Sequence, residues 1–195
     1  MLARAFCENP LNRAVVGGSP RRRVRANRAG VIAYLPTALE RARVTTVREG
    51  GAPVGVLVAT PPYRWPIPGP GLGGTLRLIL GQGLRVARRW GEVARELRSH
   101  HPHGPVWYLA TLGVEPVCWG RGAGHALLRD FTAQVDADGC GAYLETDRRD
   151  LAGFYERAGF RVEQEIQLYG VPVLLMERWP ARRPDATPVE PRDGA

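Results

Sequence analysis

The sequence predicts an α/β (α+β) protein, a mixed central sheet with helices on both faces. Three observations carry that reading. An alternating, β-branched run at Arg43–Glu49 (RVTTVRE) meets Gly50-Gly51 and then an apolar run at 54–59 (VGVLVA), which is the pattern of a hairpin with a central second strand. Val106–Val114, a helical stretch and Gly141–Thr146 follow in β-α-β order, which joins parallel strands by a right-handed crossover. A second hairpin, Arg161–Leu168 and Val171–Arg178, turns at Tyr169-Gly170. The sequence contains no internal repeat.

Residues 1–42 read as two helical stretches broken at Gly17-Gly18-Ser19-Pro20, where Ser19 is an N-cap and Pro20 suits the first helical position. Residues 60–74 hold five Pro and four Gly and read as a loop. Residues 75–98 space their apolar side chains as one helix, weakened by Gly81 and Gly83, with arginines on the solvated face. A second loop, 100–105, carries His100, His101 and His103. The helix at 120–137 sets Leu127, Leu128, Phe131 and Val135 on one face. A short helix at 150–158 ends at Gly159, with Phe160 folding back on it. The chain thus divides into one domain at 1–179, with N-terminal helices at 1–42 and a core at 43–178, and a Pro-rich disordered tail at 180–195.

All 27 basic residues are arginine, against 19 acids, for a net charge of +8. Without lysine there is no Schiff-base nucleophile and no Walker A phosphate cradle. The excess charge is concentrated at residues 1–30 (net +6) and 77–98 (net +4), and reads as solvated helix surface. Cys7, Cys118 and Cys140 form no Cys-x-x-Cys pair, and no apolar run approaches the ~18 residues of a membrane span. The expectation is a cytoplasmic protein with reduced thiols, no membrane association and no bound metal.

The chemically informative stretch is 112–128, LGVEPVCWGRGAGHALL. An apolar strand runs through a glycine-rich turn directly into a helix. The first N–H groups of a helix lack intrahelical partners, and the helix dipole adds positive potential there, so the turn suits a phosphate. A dinucleotide-binding Gly-x-Gly-x-x-Gly fails, because His125 and Leu127 stand where the third glycine is needed.

What remains, Val114-x-Pro116-x-x-Trp119-Gly120-Arg121-Gly122-Ala123-Gly124, resembles the acetyl-CoA motif of the GCN5-related N-acetyltransferases (GNAT). Residues 143–160 (YLETDRRDLAGFYERAGF) resemble that family's second signature, and WYLATLGVEP is similar to the puromycin-acetyltransferase-like branch. The likeness covers about residues 43–178. It implies the GNAT fold with its first strand missing, since the sequence enters directly on a helical stretch; either the start was assigned too late or the sheet has a bare edge, open to pairing in a homodimer.

The resemblance also implies roles. Gly120, Arg121, Gly122, Ala123, Gly124 and His125, with Trp119 in place of the family's Gln or Arg, would hold the pyrophosphate of acetyl-CoA as co-substrate. Leu112, Gly113 and Val114 would splay from the strand at Glu145, leave backbone groups for the pantetheine arm, and stabilise the oxyanion; Gly113 fits a close ligand approach. Tyr155 would be the general acid for the departing thiolate, and Leu151 replaces a cofactor-contacting Asn. Glu145, or else Glu115, is the candidate general base.

The implied activity is N-acetyl transfer to a primary amine of a small molecule or a peptide, by direct attack. The alternatives are a non-catalytic acyl-CoA-binding or regulatory module, favoured by Trp119 and the missing strand, and a nucleic-acid binder, for which the sequence offers charge but no motif.

Overall fold

The computed structural model describes residues 1–180. The tail expected at 180–195 lies, from 181 on, outside the described residues. The elements are α1 (Leu2–Ala5), α2 (Pro10–Val16), α3 (Pro20–Arg41), β1 (Arg43–Glu49), β2 (Ala52–Thr60), α4 (Leu72–Gln82), α5 (Leu84–Ser99), β3 (Val106–Val114), α6 (Ala123–Ala137), β4 (Gly141–Thr146), α7 (Ala152–Glu156), β5 (Arg161–Leu168) and β6 (Val171–Arg178). Six strands form one mixed sheet in the order β1-β2-β3-β4-β6-β5, with β3 and β4 parallel and every other pair antiparallel. Among the described residues no further strand pairs with the outer edge of β1.

Each face of the sheet has its own core. On one face Leu127, Leu128, Phe131 and Val135 of α6 pack on Leu57, Ala59, Trp107, Leu109, Leu144 and Met176, and α7 adds Tyr155. On the other, Leu11, Val15 and Val16 of α2 and Val86 and Val93 of α5 pack on Val106, Tyr143, Val173 and Leu175. Alternation along β4 sends Leu144 to the first face and Tyr143 to the second, the period-two rule at work.

The helical regions depart from expectation in three places. Residues 1–42 form three helices. Ser19 does cap α3, its side chain accepting from the Arg22 N–H at 3.4 Å. Residues 75–98 belong to two helices, because Gly83 adopts φ +88 and ends α4. Gly81 is there for packing, since a Cβ on it would sit 2.3 Å from that of Ala29 on α3. The expected helix at 120–137 begins three residues later, at Ala123.

Not all of the arginine excess is solvated. Arg23 is buried and donates to the carbonyls of Cys7 (2.6 Å) and Gly18 (2.5 Å) and to Glu8 (2.6 Å). Arg89 donates to the Ala14 and Val15 carbonyls at the end of α2, at 3.2 and 3.3 Å. Arg23 spreads three guanidinium nitrogens over its acceptors, and Arg89 places one, Nη1, on carbonyls that the end of α2 leaves open.

Candidate active site

β3 and β4 are hydrogen-bonded partners only from Val106↔Gly141 to Tyr108↔Tyr143. Beyond Tyr108 they part, and a bulge at Ala110, where the register with β2 shifts, bends β3 away. The splay expected at Leu112–Val114 and Glu145 is present and opens earlier, just past Tyr108 and Tyr143. A cleft of about 610 Å³ passes through the slot from one face of the sheet to the other.

At its first end stands the glycine turn. Gly120 (φ +78) and Gly122 (φ +84) hold the left-handed conformation that glycine adopts without strain, and a Cβ on either would meet no atom within 4 Å. The helical bonding of α6 opens with Ala126 N–H to the Gly122 carbonyl at 2.9 Å. The N–H groups before it face the cleft mouth without helical partners. Trp119, Gly120, Gly122, Ala123, Gly124 and His125 all line the cleft, as do Leu112, Gly113 and Val114. The donor set therefore fits a pyrophosphate, bound through backbone and helix dipole.

Tyr155 lines the middle of the cleft from the α6 face, edge-on to Phe154 and Phe160. Burial, and then the Asp147 charge, push its phenol up to about 12, while Arg148 pulls the other way. It is a protonated donor throughout the neutral range.

Glu145 lines the cleft on the opposite face, where Tyr108 donates to its Oε2 at 2.8 Å. Burial outweighs the favourable Tyr108 and Tyr143 hydroxyls and pushes its carboxyl up to about 7. The same burial, with the nearby Glu145 charge, drives both phenols well above their ordinary value. A buried carboxyl that titrates near neutrality beside a cleft can accept a proton.

A model of the Acetyltransferase (GNAT) family matches residues 25–160. The chain belongs to the GNAT family. Membership makes it an acetyl-CoA-dependent acetyltransferase. Its fold is similar to a crystal structure of histone acetyltransferase HPA2 and related acetyltransferase from Corynebacterium glutamicum, at 24% identity over 94% of this chain and 92% of that chain, with TM-score 0.67. Two looser likenesses are a GNAT family acetyltransferase from Elizabethkingia anophelis with acetyl-CoA bound (12% identity, 76% and 86% covered, TM-score 0.46) and the ribosomal-protein-S18-alanine N-acetyltransferase of Escherichia coli (14%, 78% and 79%, TM-score 0.48).

Several expected roles in this GNAT chain change. Gly113 has a packing reason of its own to be bare: a Cβ there would sit 2.7 Å from Leu2 and 3.1 Å from Phe6, so its smallness seats α1 on the sheet, while the residue also lines the cleft. Glu115 is no free base, because Arg4 grips it at 2.9 and 2.6 Å and holds its carboxyl below the usual range. Of the expected free backbone groups, the Val114 carbonyl already accepts from the Trp119 indole at 2.9 Å. That bond explains the tryptophan, which braces the strand end while remaining 52% exposed. Arg121 leans outward to Glu49 at 3.4 Å and does not line the cleft, and His125 rests edge-on to Phe154.

Three participants were missed. Tyr108 anchors Glu145. Asp147, just past the end of β4, accepts from the Leu11 N–H (2.7 Å) and Asn9 Nδ2 (3.2 Å), capping α2 and fixing that wall. Arg148, paired to Asp150 at 2.5 Å, sits over the Trp119 ring at 6.0 Å and spans the cleft mouth. A polar tip on a buried strand aromatic, as in Tyr108, needs a partner, and that was the available signal. Among the described residues no three His, Cys, Asp or Glu are grouped to hold a metal, and no helix is long and apolar enough to cross a membrane.

Proposed function

We propose that the chain transfers the acetyl group of acetyl-CoA to the primary amine of a small molecule, by direct attack with both substrates bound. The observation that carries this reading is one cleft lined by Glu145 on one face of the sheet and Tyr155 on the other, with the glycine turn at its end. The thioester enters from the α6 face and supplies the electrophilic carbonyl.

The amine approaches from the α2/α5 face, where Glu145 takes its proton, directly or through one water. The new N–C bond forms as the C–S bond breaks, and backbone N–H groups of the splayed β3 stabilise the developing oxyanion. Tyr155 faces the departing sulfur. A phenol near 12 is a weaker acid than a thiol, whose pKa is about 8.5. Tyr155 therefore steadies the thiolate by donating a hydrogen bond, and complete protonation comes from solvent. This revises the expectation of a full general acid.

The test is CoA release and acetyl-amine formation over a panel of amines. Stoichiometric product with wild-type protein supports the reading. Tight acetyl-CoA binding with no amine-dependent release would support a non-catalytic acyl-CoA-binding module instead.

A further inference from the structure

We infer that the acceptor is a primary amine with an apolar body and no anionic group, held against α5 between Trp90 and the Tyr108–Glu145 pair. This rests on the transferase reading and adds the class of its second substrate. The acceptor half of the cleft lies on the α2/α5 face, and its broad walls are Leu11, Trp90, Leu97 and Val173. Trp90 and Leu97 are seven residues apart on α5, two helical turns, so they line an apolar wall about 10 Å long. That length accommodates an arylalkyl or alkyl chain, whose burial supplies the affinity.

The charges on this half have one sign. Its lining acids are Glu145 and Asp147. The arginine of the cleft, Arg148, is committed to Asp150 and lies over Trp119 at the mouth, and His125 stands at the glycine turn. Arg89, on the neighbouring turn of α5, is spent on the carbonyls of α2. His101, behind Tyr108, is held down by burial and stays neutral. An acceptor carrying a carboxylate or phosphate would be desolvated beside two acids with no cation to meet it. An ammonium meets Glu145.

The test is calorimetry on the full chain saturated with CoA, using phenethylamine, phenylalanine and ethanolamine. The first two share a body and differ by a carboxylate; the third lacks the body. Phenethylamine should bind at least about 50-fold tighter than either. Leu97→Arg, with CoA affinity as the check on folding, should narrow the gap to phenylalanine by tenfold or more. Trp90→Ala should weaken phenethylamine at least tenfold and leave CoA unchanged. Equal affinities, a preference for phenylalanine, or failure of phenethylamine to bind would overturn the assignment. Acetyl transfer assayed on the same amines separates the two claims. Selective binding without transfer would sink the transferase reading and keep the acceptor class; equal transfer to amine and amino acid would do the reverse.

Discussion

The two faces of the sheet are built by different means. On the α6 face the site is backbone: positive-φ glycines, a helix N-terminus and a strand end braced by Trp119. On the α2/α5 face it is side chain: Glu145 fixed by Tyr108, a wall of Trp90 and Leu97, and α2 anchored by Asp147. A backbone cradle demands local sequence, glycines in fixed positions. A side-chain pocket demands only that distant residues meet. In the proposed reaction the first face holds acetyl-CoA and the second holds the amine, so substitutions should divide cleanly between them.

The largest expected effect is on the first face. Gly122→Asp adds both left-handed strain and a charge opposed to phosphate, and should weaken CoA at least ~100-fold by calorimetry. Phenethylamine affinity should stay within about threefold; a parallel loss would show that the faces are not independent. Gly124→Ala is the control, because its Cβ would make only ordinary contacts at 3.6 Å with Val114 and 3.7 Å with Phe154.

Tyr155→Phe comes next. Removing a single hydrogen bond to the leaving sulfur should lower kcat roughly tenfold, about 1.4 kcal/mol, with acetyl-CoA affinity unchanged. Steady-state kinetics paired with equilibrium binding checks this, and an intact kcat would remove Tyr155 from the mechanism.

Asp147→Ala should cost about 1 kcal/mol of stability in denaturant unfolding, the worth of a helix N-cap, and raise the amine KM more than the acetyl-CoA KM. An equal rise in both would mean that the wall it fixes belongs to both substrates. Smallest of all, Trp119→Phe removes the indole donor to Val114 while keeping an aromatic ring beneath Arg148. It should weaken CoA two- to fivefold and leave the amine alone.

The unequal legibility of the molecule follows from the same contrast. The strands Val106–Val114, Gly141–Thr146, Arg161–Leu168 and Val171–Arg178 lie where period-two patterning and turn residues place them. The glycine turn was legible because its constraint is local. Gly83 was not, since a helix-weakening glycine and a helix-ending one look alike until φ is known. The packing reason for Gly113 was not legible, because close approach to α1 and close approach to a ligand leave the same trace in a sequence. Glu115 was an open candidate until Arg4, 111 residues away in sequence, claimed it. Tyr143 and Glu145 share a face by alternation, but their neighbour Tyr108 and the burial that lifts the carboxyl depend on the packed fold.

That lifted carboxyl also marks stability. A folded value near 7 lies above the unfolded value of about 4.3, so the folded state holds the extra proton between them. Stability contributed by this group is present at low pH and is lost as pH rises through that window.

The most direct measurement is the pH dependence of kcat/KM for phenethylamine, in wild type and Glu145→Gln. With Glu145 as base toward the bound ammonium, wild-type kcat/KM expressed per total amine should rise to a plateau with a midpoint near pH 7. The Gln variant should be at least ~100-fold slower, lack that inflection, and bind acetyl-CoA normally. An unchanged inflection in the Gln variant, or turnover within a few-fold of wild type, would contradict the claim that one reaction runs between the two faces of the sheet.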